Sequence, residues 1–283
     1  MSDLKVHLNG ELVPSTEARV SVWDAGFLHG ASSFTTMRAH NGVVFRLAEH
    51  VERLLETVKV LGMRSKGTGE GLAAATRDVV AANGLVEARV RITLTPGSVQ
   101  GGDPTVLITA APLPEYPPHW YAKGISVVLS SFRQGSDDLT FGHKSGCYLP
   151  RVSAFQEACS KGADEAIWCT PDERLAEACF CNVFLVMGGK MVTPPRQTPV
   201  LPGIVRGAVL ELCENLGIEA DDQSPVTLRD MLNAEEIFLT SSCSGIRPVA
   251  MVERRQVPPP CPGEVTKRLS AGYDELLARE CSG

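Results

Sequence analysis

The chain has 283 residues, 43% hydrophobic and 21% charged, with 27 Lys plus Arg against 33 Asp plus Glu and a net charge of −6. That composition supports a sizeable core in one large or two medium domains, and an acidic chain without a basic run excludes bulk nucleic-acid binding. No apolar stretch approaches the roughly 18 residues of a membrane span, and the opening Met1-Ser2-Asp3-Leu4-Lys5 has no apolar signal core, so the expected compartment is the cytoplasm.

Short strands are expected at Lys5–Leu8, Ser33–His40 and Val43–Phe45, with Asn9-Gly10 and Asn41-Gly42 as tight turns. A helix over Leu47–Leu61 keeps Leu47, Val51, Leu54, Leu55, Val58 and Leu61 at helical spacing, and Gly62 ends it. A second helix covers Gly71–Ala82. Ala88–Thr95 and Thr105–Ala111 read as strands, giving an α+β layer with a meandering sheet. The run Pro112-Leu113-Pro114-Glu115-Tyr116-Pro117-Pro118 stiffens the chain. It divides an N-terminal α+β domain (residues 1–115) from a C-terminal α/β domain (123–283), with 116–122 as linker. In the second domain, the strand Ile125–Phe132 leads to a polar loop over Arg133–Cys147 and a helix over Pro150–Lys161. Strands at Ala166–Cys169 and Val183–Met187, a helix over Gly203–Leu216 and a strand at Glu236–Leu239 follow. An amphipathic helix at Val265–Leu277 closes the chain after Pro258-Pro259-Pro260-Cys261-Pro262.

Nine cysteines are scattered and odd in number, and a chain of this length folds without disulfides, so reduced and mostly buried thiols are expected. Only Cys179-Phe180-Cys181 is clustered. No second Cys or His pair stands at ligand spacing, and no metal is expected.

Candidate chemistry lies in five places. Lys144 sits among glycines in Phe141-Gly142-His143-Lys144-Ser145-Gly146; most loop lysines are solvated charges, but one held in a cleft becomes an amine nucleophile on losing its proton. Leu201-Pro202-Gly203-Ile204-Val205-Arg206 opens a helix, where free N–H groups and the positive dipole end suit a phosphate. Thr240-Ser241-Ser242-Cys243-Ser244 follows a strand and offers hydroxyl donors. Glu177 lies between two strand-like segments among apolar neighbours, where a buried carboxylate needs a partner. Arg53 lies beside the apolar stripe of its helix, a place from which arginines snorkel over the core.

In order along the chain stand His50-Val51-Glu52-Arg53-Leu54, Gly142-His143-Lys144 with Tyr148-Leu149, Gly162-Ala163-Asp164-Glu165-Ala166, Glu177 with Asn182-Val183-Phe184, Leu201-Pro202-Gly203-Ile204 with Arg206, and Phe238-Leu239-Thr240-Ser241 with Pro248-Val249. This series resembles the class IV aminotransferases, the fold type IV pyridoxal-phosphate enzymes, from about Val6 to Val252. The family holds branched-chain aminotransferases, D-amino-acid aminotransferases and 4-amino-4-deoxychorismate lyases. The resemblance implies a two-domain D-amino-acid-aminotransferase-like fold, pyridoxal 5'-phosphate as cofactor, a small amino acid or keto acid as substrate, and a homodimer. By position, Lys144 matches the Schiff-base lysine, carried in the C-terminal domain, and Glu177 the carboxylate at the pyridine nitrogen. Arg53 matches the phosphate-binding arginine, with Leu201, Gly203, Ile204 and Val205 at the helix-terminus phosphate cradle and Ser241 and Ser242 as further donors. Tyr148 matches a tyrosine near the ring hydroxyl, and Asn182 falls in the same cofactor-binding set. Phe34, Thr36, Arg38 and Arg91 are the candidates for the substrate.

The sequence departs from the family at several points. Val205 stands where many members have Thr, and Cys147 where many have Asn. Ala178-Cys179-Phe180-Cys181 replaces a small Gly/Ser-rich turn. Phe34-Thr35-Thr36-Met37-Arg38 lacks the Glu-Gly pair of branched-chain enzymes and is closer to the lyase pattern. Pro96-Gly97-Ser98 stands where some members offer an arginine to the substrate carboxylate. The Phe34-Thr35-Thr36 block and the missing Thr lean towards the lyase, but Tyr148-Leu149 and Leu201-Pro202-Gly203-Ile204 lean towards an aminotransferase, and the expected activity is transamination between a branched-chain or similar amino acid and a 2-keto acid. Release of pyruvate from aminodeoxychorismate is the alternative, and a non-catalytic member of the fold a third reading.

Overall fold

The computed structural model describes residues 4–135 and 137–282. Its contacts divide the chain into two compact units. The first comprises Met1–Pro114, Lys144–Cys147 and Leu277–Gly283; the second comprises Glu115–His143 and Tyr148–Leu276.

The first unit runs β1 (Lys5–Leu8), β2 (Glu11–Pro14), α1 (Ala25–His29), β3 (Ser33–His40), β4 (Val43–Val44), α2 (Leu47–Val60), α3 (Gly69–Ala82), β5 (Ala88–Thr95) and β6 (Thr105–Pro112). Its six strands form an antiparallel sheet in the order β2-β1-β6-β5-β3-β4. Asn9 and Gly10, and Asn41 and Gly42, all have positive φ, the backbone that tight hairpins between right-twisted strands require. The buried stripe of α2 (Leu47, Val51, Leu54, Val58) and that of α3 (Leu72, Val79, Val80) pack with Met37, Ala39, Val90, Ile92 and Ile108 of the sheet into one core. Because strand side chains alternate, this commits Thr35, Met37 and Ala39 to the helix-covered face. The pairs Phe34–Thr93, Thr36–Arg91 and Arg38–Arg89 fall on the other.

The second unit contains α4 (Pro118–Ala122), β7 (Ile125–Arg133), α5 (Leu149–Ser160), β8 (Glu165–Cys169), β9 (Leu175–Ala178), β10 (Asn182–Met187), β11 (Lys190–Val192), α6 (Ile204–Asn215), β12 (Ala220–Asp221), α7 (Leu228–Asn233), β13 (Glu236–Ser241), β14 (Gly245–Val252) and β15 (Arg255–Gln256), and α8 (Glu264–Glu280) closes the chain. Nine strands form a mixed sheet, β12-β11-β10-β13-β14-β7-β8-β9 with β15 on β14. Parallel pairing joins β14 to β7, β7 to β8 and β11 to β12. Every residue of β8 and β9 is buried, as expected for strands covered on both faces.

Three expectations meet a different structure. Glu177 lies inside a strand, β9, rather than between strands. Pro118–Ala122 of the expected linker is the short helix α4, started by proline at its first turn. Lys144, expected with the C-terminal domain, groups with the first unit. The reason is local pairing: Phe34 N donates to Lys144 O at 2.9 Å, Gly146 N donates to Ser32 O at 2.7 Å, and Ser33 bridges Ser145. All nine cysteines are free thiols, with Cys169, Cys179, Cys181, Cys213, Cys243 and Cys281 buried. Among the described residues, no helix is long and apolar enough to cross a membrane, and no group of three or more His, Cys, Asp or Glu side chains could hold a metal ion.

Candidate active site

In the first unit the backbone of Lys144 is held as a short strand-like segment against the start of β3. Besides Phe34 N, Ser33 Oγ donates to Lys144 O at 3.2 Å. Gly146 makes this close approach feasible, since a Cβ there would overlap Ser32 Oγ. The Lys144 side chain reaches the ring of Phe34, with Nζ 4.9 Å from its centroid. Arg91 stacks on the same ring at 3.6 Å, and its Nε donates to Thr93 Oγ1 at 3.0 Å. An amine and a guanidinium therefore meet at one aromatic ring, which accepts cations through its quadrupole.

On the helix-covered side, Arg53 Nη2 donates to Thr35 Oγ1 at 3.1 Å, and Thr35 Oγ1 lies 2.8 Å from His50 Nδ1. If Thr35 accepts from Arg53, its own hydrogen goes to His50 Nδ1, which fixes His50 as the Nε2–H tautomer. His50 is 1% exposed. Burial first, then the charges of Arg53 and Lys144, hold its pKa well below the usual 6.5. A neutral imidazole and a hydroxyl thus orient Arg53 without cancelling its charge.

The second unit centres on an anion. Glu177 is buried on β9. Its Oε1 accepts from Arg151 Nη2 at 2.5 Å and Gln134 Nε2 at 3.4 Å, and its Oε2 from Leu201 N at 2.9 Å and Asn182 Nδ2 at 3.4 Å. Asn182 Nδ2 also donates to Leu201 O at 2.9 Å. The carboxylate is thereby tied to the turn that enters α6. That helix begins at Gly203 without a side-chain cap, so its first backbone N–H groups lack the usual capping oxygen. A Cβ at Gly203 would overlap Asn182 Oδ1, so any larger residue there requires the Asn182 amide to move.

Most of the residues singled out from sequence fall into these two groups. Phe34, Arg91 and Lys144 come together, and Arg53 joins Thr35 and His50. Glu177, Asn182 and Leu201 share one network, leading to Gly203, Ile204 and Val205. Ser241 Oγ lies 2.7 Å from Ser244 Oγ, and Ser242 follows at the end of the same strand. Tyr148 stacks on Phe180, with centroids 6.0 Å apart. Thr36 lies beside Arg91 in strand register. Arg38 is instead engaged by Glu87 at 3.0 Å. The bulk of Ala178–Cys181 is absorbed: Cys179 and Cys181 are buried, while Phe180 faces outward onto Tyr148 and Phe155. Sequence reasoning passed over Arg151 and Gln134. Pro150-Arg151 at a helix start carries no signal that its partner will be a strand residue 26 positions on.

Chemically, the first unit offers an amine able to move a proton and guanidinium groups able to hold anions. The second offers a fixed carboxylate for a protonated ring nitrogen, and a helix N-terminus whose amides suit a phosphate. The donor set and the close-packed Gly203 turn fit a phosphorylated, nitrogen-heterocyclic aldehyde.

Comparison with known proteins agrees. The family model for class IV amino-transferases matches residues 32–252. A Methanocaldococcus jannaschii protein is 33% identical over 98% of this chain and 97% of its own. The branched-chain-amino-acid aminotransferase of Escherichia coli K12 is 31% identical over 97% of this chain and 93% of its own. The crystal structure of an Escherichia coli branched-chain amino acid aminotransferase superposes with a TM-score of 0.92 at 30% identity, covering 98% of this chain and 95% of that one. A T.th. branched-chain amino acid aminotransferase, solved with pyridoxamine 5'-phosphate, gives 0.91 at 27% identity, covering 99% and 96%. Nothing in these relatives favours the lyase alternative. With its family model matched across most of its length and its fold shared with solved members, this chain belongs to the class IV aminotransferases.

Proposed function

We propose that the chain transfers an amino group between an α-amino acid, branched-chain or similar, and a 2-keto acid, with pyridoxal 5'-phosphate as cofactor. The observation that carries this reading is the meeting of Lys144 and Arg91 at the ring of Phe34: a proton-moving amine beside a fork for a substrate carboxylate. Arg53, Lys144, Tyr148, Glu177, Asn182, Leu201, Gly203, Ile204, Val205, Ser241 and Ser242 are assigned to the cofactor, and Phe34, Thr36 and Arg91 to the substrate, with Arg38 held by Glu87. When bound, the cofactor supplies an electron sink conjugated to the substrate α-carbon. Lys144 Nζ takes the proton from that carbon and later returns a proton, as general base and then acid. Glu177 orients the ring through its nitrogen. Arg53 and the first amides of α6 bind the phosphate, with the Ser241 and Ser242 hydroxyls as further donors. Phe34 and Thr36 line the substrate side of β3.

We also propose a cytoplasmic homodimer. Free thiols suit a reducing compartment. Val20, Val22, Trp23, Phe27 and Leu28 of the first unit are exposed apolar side chains close in sequence, a composition that favours self-association.

The test uses the purified holoenzyme with an amino donor and no keto acid, screening both hands of several amino acids. Stoichiometric conversion of the cofactor absorbance to that of its amine form is expected. Catalytic release of pyruvate from a chorismate-derived substrate, with no second substrate, would overturn transamination in favour of the lyase. Lys144→Ala is expected to lower turnover by at least about a thousandfold, as loss of a nucleophile and general base does. It should also abolish the borohydride-trapped adduct expected on the wild-type peptide that contains residue 144.

A further inference from the structure

We propose that Arg151 is the positioning residue for Glu177 and, through Glu177, for the turn at Leu201–Gly203 that enters α6. The inference rests on the assignment of Glu177 and the α6 terminus to the cofactor, and it adds a residue that family position did not assign.

The geometry is that of a two-armed clamp. One arm, Nη2, lies 2.5 Å from Glu177 Oε1. The other, Nη1, donates to Ala178 O at 3.1 Å and Cys179 O at 3.3 Å. A single planar guanidinium therefore holds both the side chain of Glu177 and the main chain immediately after it, which fixes the carboxylate's direction as well as its charge. Arg151 is itself immobilised. Its side chain is 12% exposed, and its Cζ lies 5.5 Å from the ring centroid of Trp168 and 5.9 Å from that of Phe141. Burial disfavours its charge, and the neighbouring Glu177 more than restores it, leaving its pKa raised. An arginine here stays a cation at any pH at which the protein is folded.

The second oxygen carries the effect onward. Glu177 Oε2 accepts from Leu201 N at 2.9 Å, and Asn182 Nδ2, 3.4 Å from the same oxygen, also donates to Leu201 O. Both polar backbone groups of Leu201 are thus read by this network. Gly203, two residues on, packs against Asn182. Releasing Arg151 frees Glu177 to rotate, and a rotated Glu177 no longer holds Leu201. One guanidinium on α5 in this way sets the acid assigned to the cofactor ring nitrogen and the amides assigned to its phosphate. A lysine reaches only one of these acceptors, since it lacks the fork.

The experiment compares wild type, Arg151→Met and Arg151→Lys in three measurements: hydrogen exchange of the cofactor-free chain, binding of pyridoxal phosphate, and kcat and KM with one amino donor. In Arg151→Met, exchange is expected to rise at least tenfold in the segments 177–181 and 201–204 while α2 keeps its wild-type protection. Cofactor affinity should fall at least tenfold, and kcat should fall with KM within a factor of two. Arg151→Lys should recover part of the affinity and of the protection at 201–204, and little at 177–181. Unchanged exchange and affinity in Arg151→Met overturn the proposal, as does a uniform rise across the whole chain, which marks general destabilisation alone. If Arg151→Met does not fold, Arg151→Lys decides, and wild-type behaviour of that variant in all three measurements overturns the proposal. Should wild type convert no amino donor while the exchange pattern appears as described, the proposed activity fails and the clamp stands.

Discussion

The two groups of candidate site residues, Arg53 with Arg91 and Lys144 in the first unit and Glu177 in the second, hold charge in opposite ways. In the first, cations are oriented by neutral and aromatic groups: Arg53 by the Thr35 hydroxyl beside a neutral His50, and Arg91 and Lys144 by the face of Phe34. In the second, one buried anion is surrounded by donors from four places in the chain, Gln134, Arg151, Asn182 and Leu201. With the roles proposed above, the difference follows from the chemistry each would perform. Cations that receive a phosphate or a carboxylate must keep their charge available, so groups without opposing charge orient them. A carboxylate that must remain ionised while buried needs its desolvation offset before any ligand arrives.

The most severe way to break this comparison is to remove the anion. Glu177→Ala leaves Arg151 buried and uncompensated, a change that costs about 3–5 kcal/mol when one partner of a buried pair is lost. Urea titration of the cofactor-free protein should show a loss of that size. A loss under about 1 kcal/mol, the range of exposed pairs, would mean that Arg151 finds water or another acceptor at once, and that the second unit is not organised around this charge. Glu177→Gln, which keeps the shape and several hydrogen bonds, should retain more stability than Glu177→Ala and bind the cofactor, with severely reduced turnover.

A smaller effect is expected at the turn itself. Gly203→Ala places a methyl group into Asn182 Oδ1, and overpacking of this kind costs about 1–3 kcal/mol. Because Asn182 also holds Leu201, the variant should lose cofactor affinity in excess of its loss of stability. Equal affinity to wild type in the folded variant would separate the turn from the phosphate.

How far this was legible in the sequence differs between the units for the same reason. The bounds of β5 follow from strict alternation and those of β3 from the Asn41-Gly42 turn that ends it, and the spacing of Leu47, Val51, Leu54 and Val58 gives α2. These are local patterns. In the second unit, β9 reads Leu-Ala-Glu-Ala, which carries no strand preference, and only pairing with β8 makes it a strand. β14 contains Pro248, which argues against a sheet interior; it fits because pairing with β7 starts only at Val249. Lys144, Arg53 and Glu177 stand out through the order of motifs along the chain. Arg151 and Gln134 do not, because their function comes from a partner that tertiary packing supplies.

The first unit's neutral imidazole gives it a sensitivity to acid. Burial, reinforced by Arg53 and Lys144, depresses the pKa of His50 in the folded state. The unfolded chain takes up a proton near the ordinary value of about 6.5, while the folded protein does not. Below that pH the unfolded state binds more protons, so stability falls as the solution is acidified, at up to about 1.4 kcal/mol per pH unit. Above about pH 7.5, one unit beyond the unfolded value, the contribution is fully retained. His50→Gln keeps an acceptor for the Thr35 hydroxyl and removes the titration. The difference in unfolding free energy between wild type and variant should therefore change with pH below about 6.5 and be flat well above it. Parallel stability profiles from about pH 7.5 to about pH 5 would show that His50 is protonated in the native state and that the cations of this unit are organised differently.

The mildest perturbation is also the most selective. Phe34→Leu keeps an apolar residue on β3 but removes the ring on which Arg91 stacks at 3.6 Å. Its cation–π contribution is about 0.5–1 kcal/mol, and because Phe34 is buried the smaller side chain adds a modest packing loss. The ring's larger service is to direction, because Arg91 without it retains its charge and its bond to Thr93 but loses the surface that aims the guanidinium. If Arg91 binds the substrate carboxylate, KM for the amino donor should rise several-fold in Phe34→Leu while cofactor affinity stays at the wild-type level. An equal loss of both would mean that the face of β3 carrying Phe34 serves the cofactor rather than the substrate, and that the division between orienting cations for two different anions does not hold within the first unit.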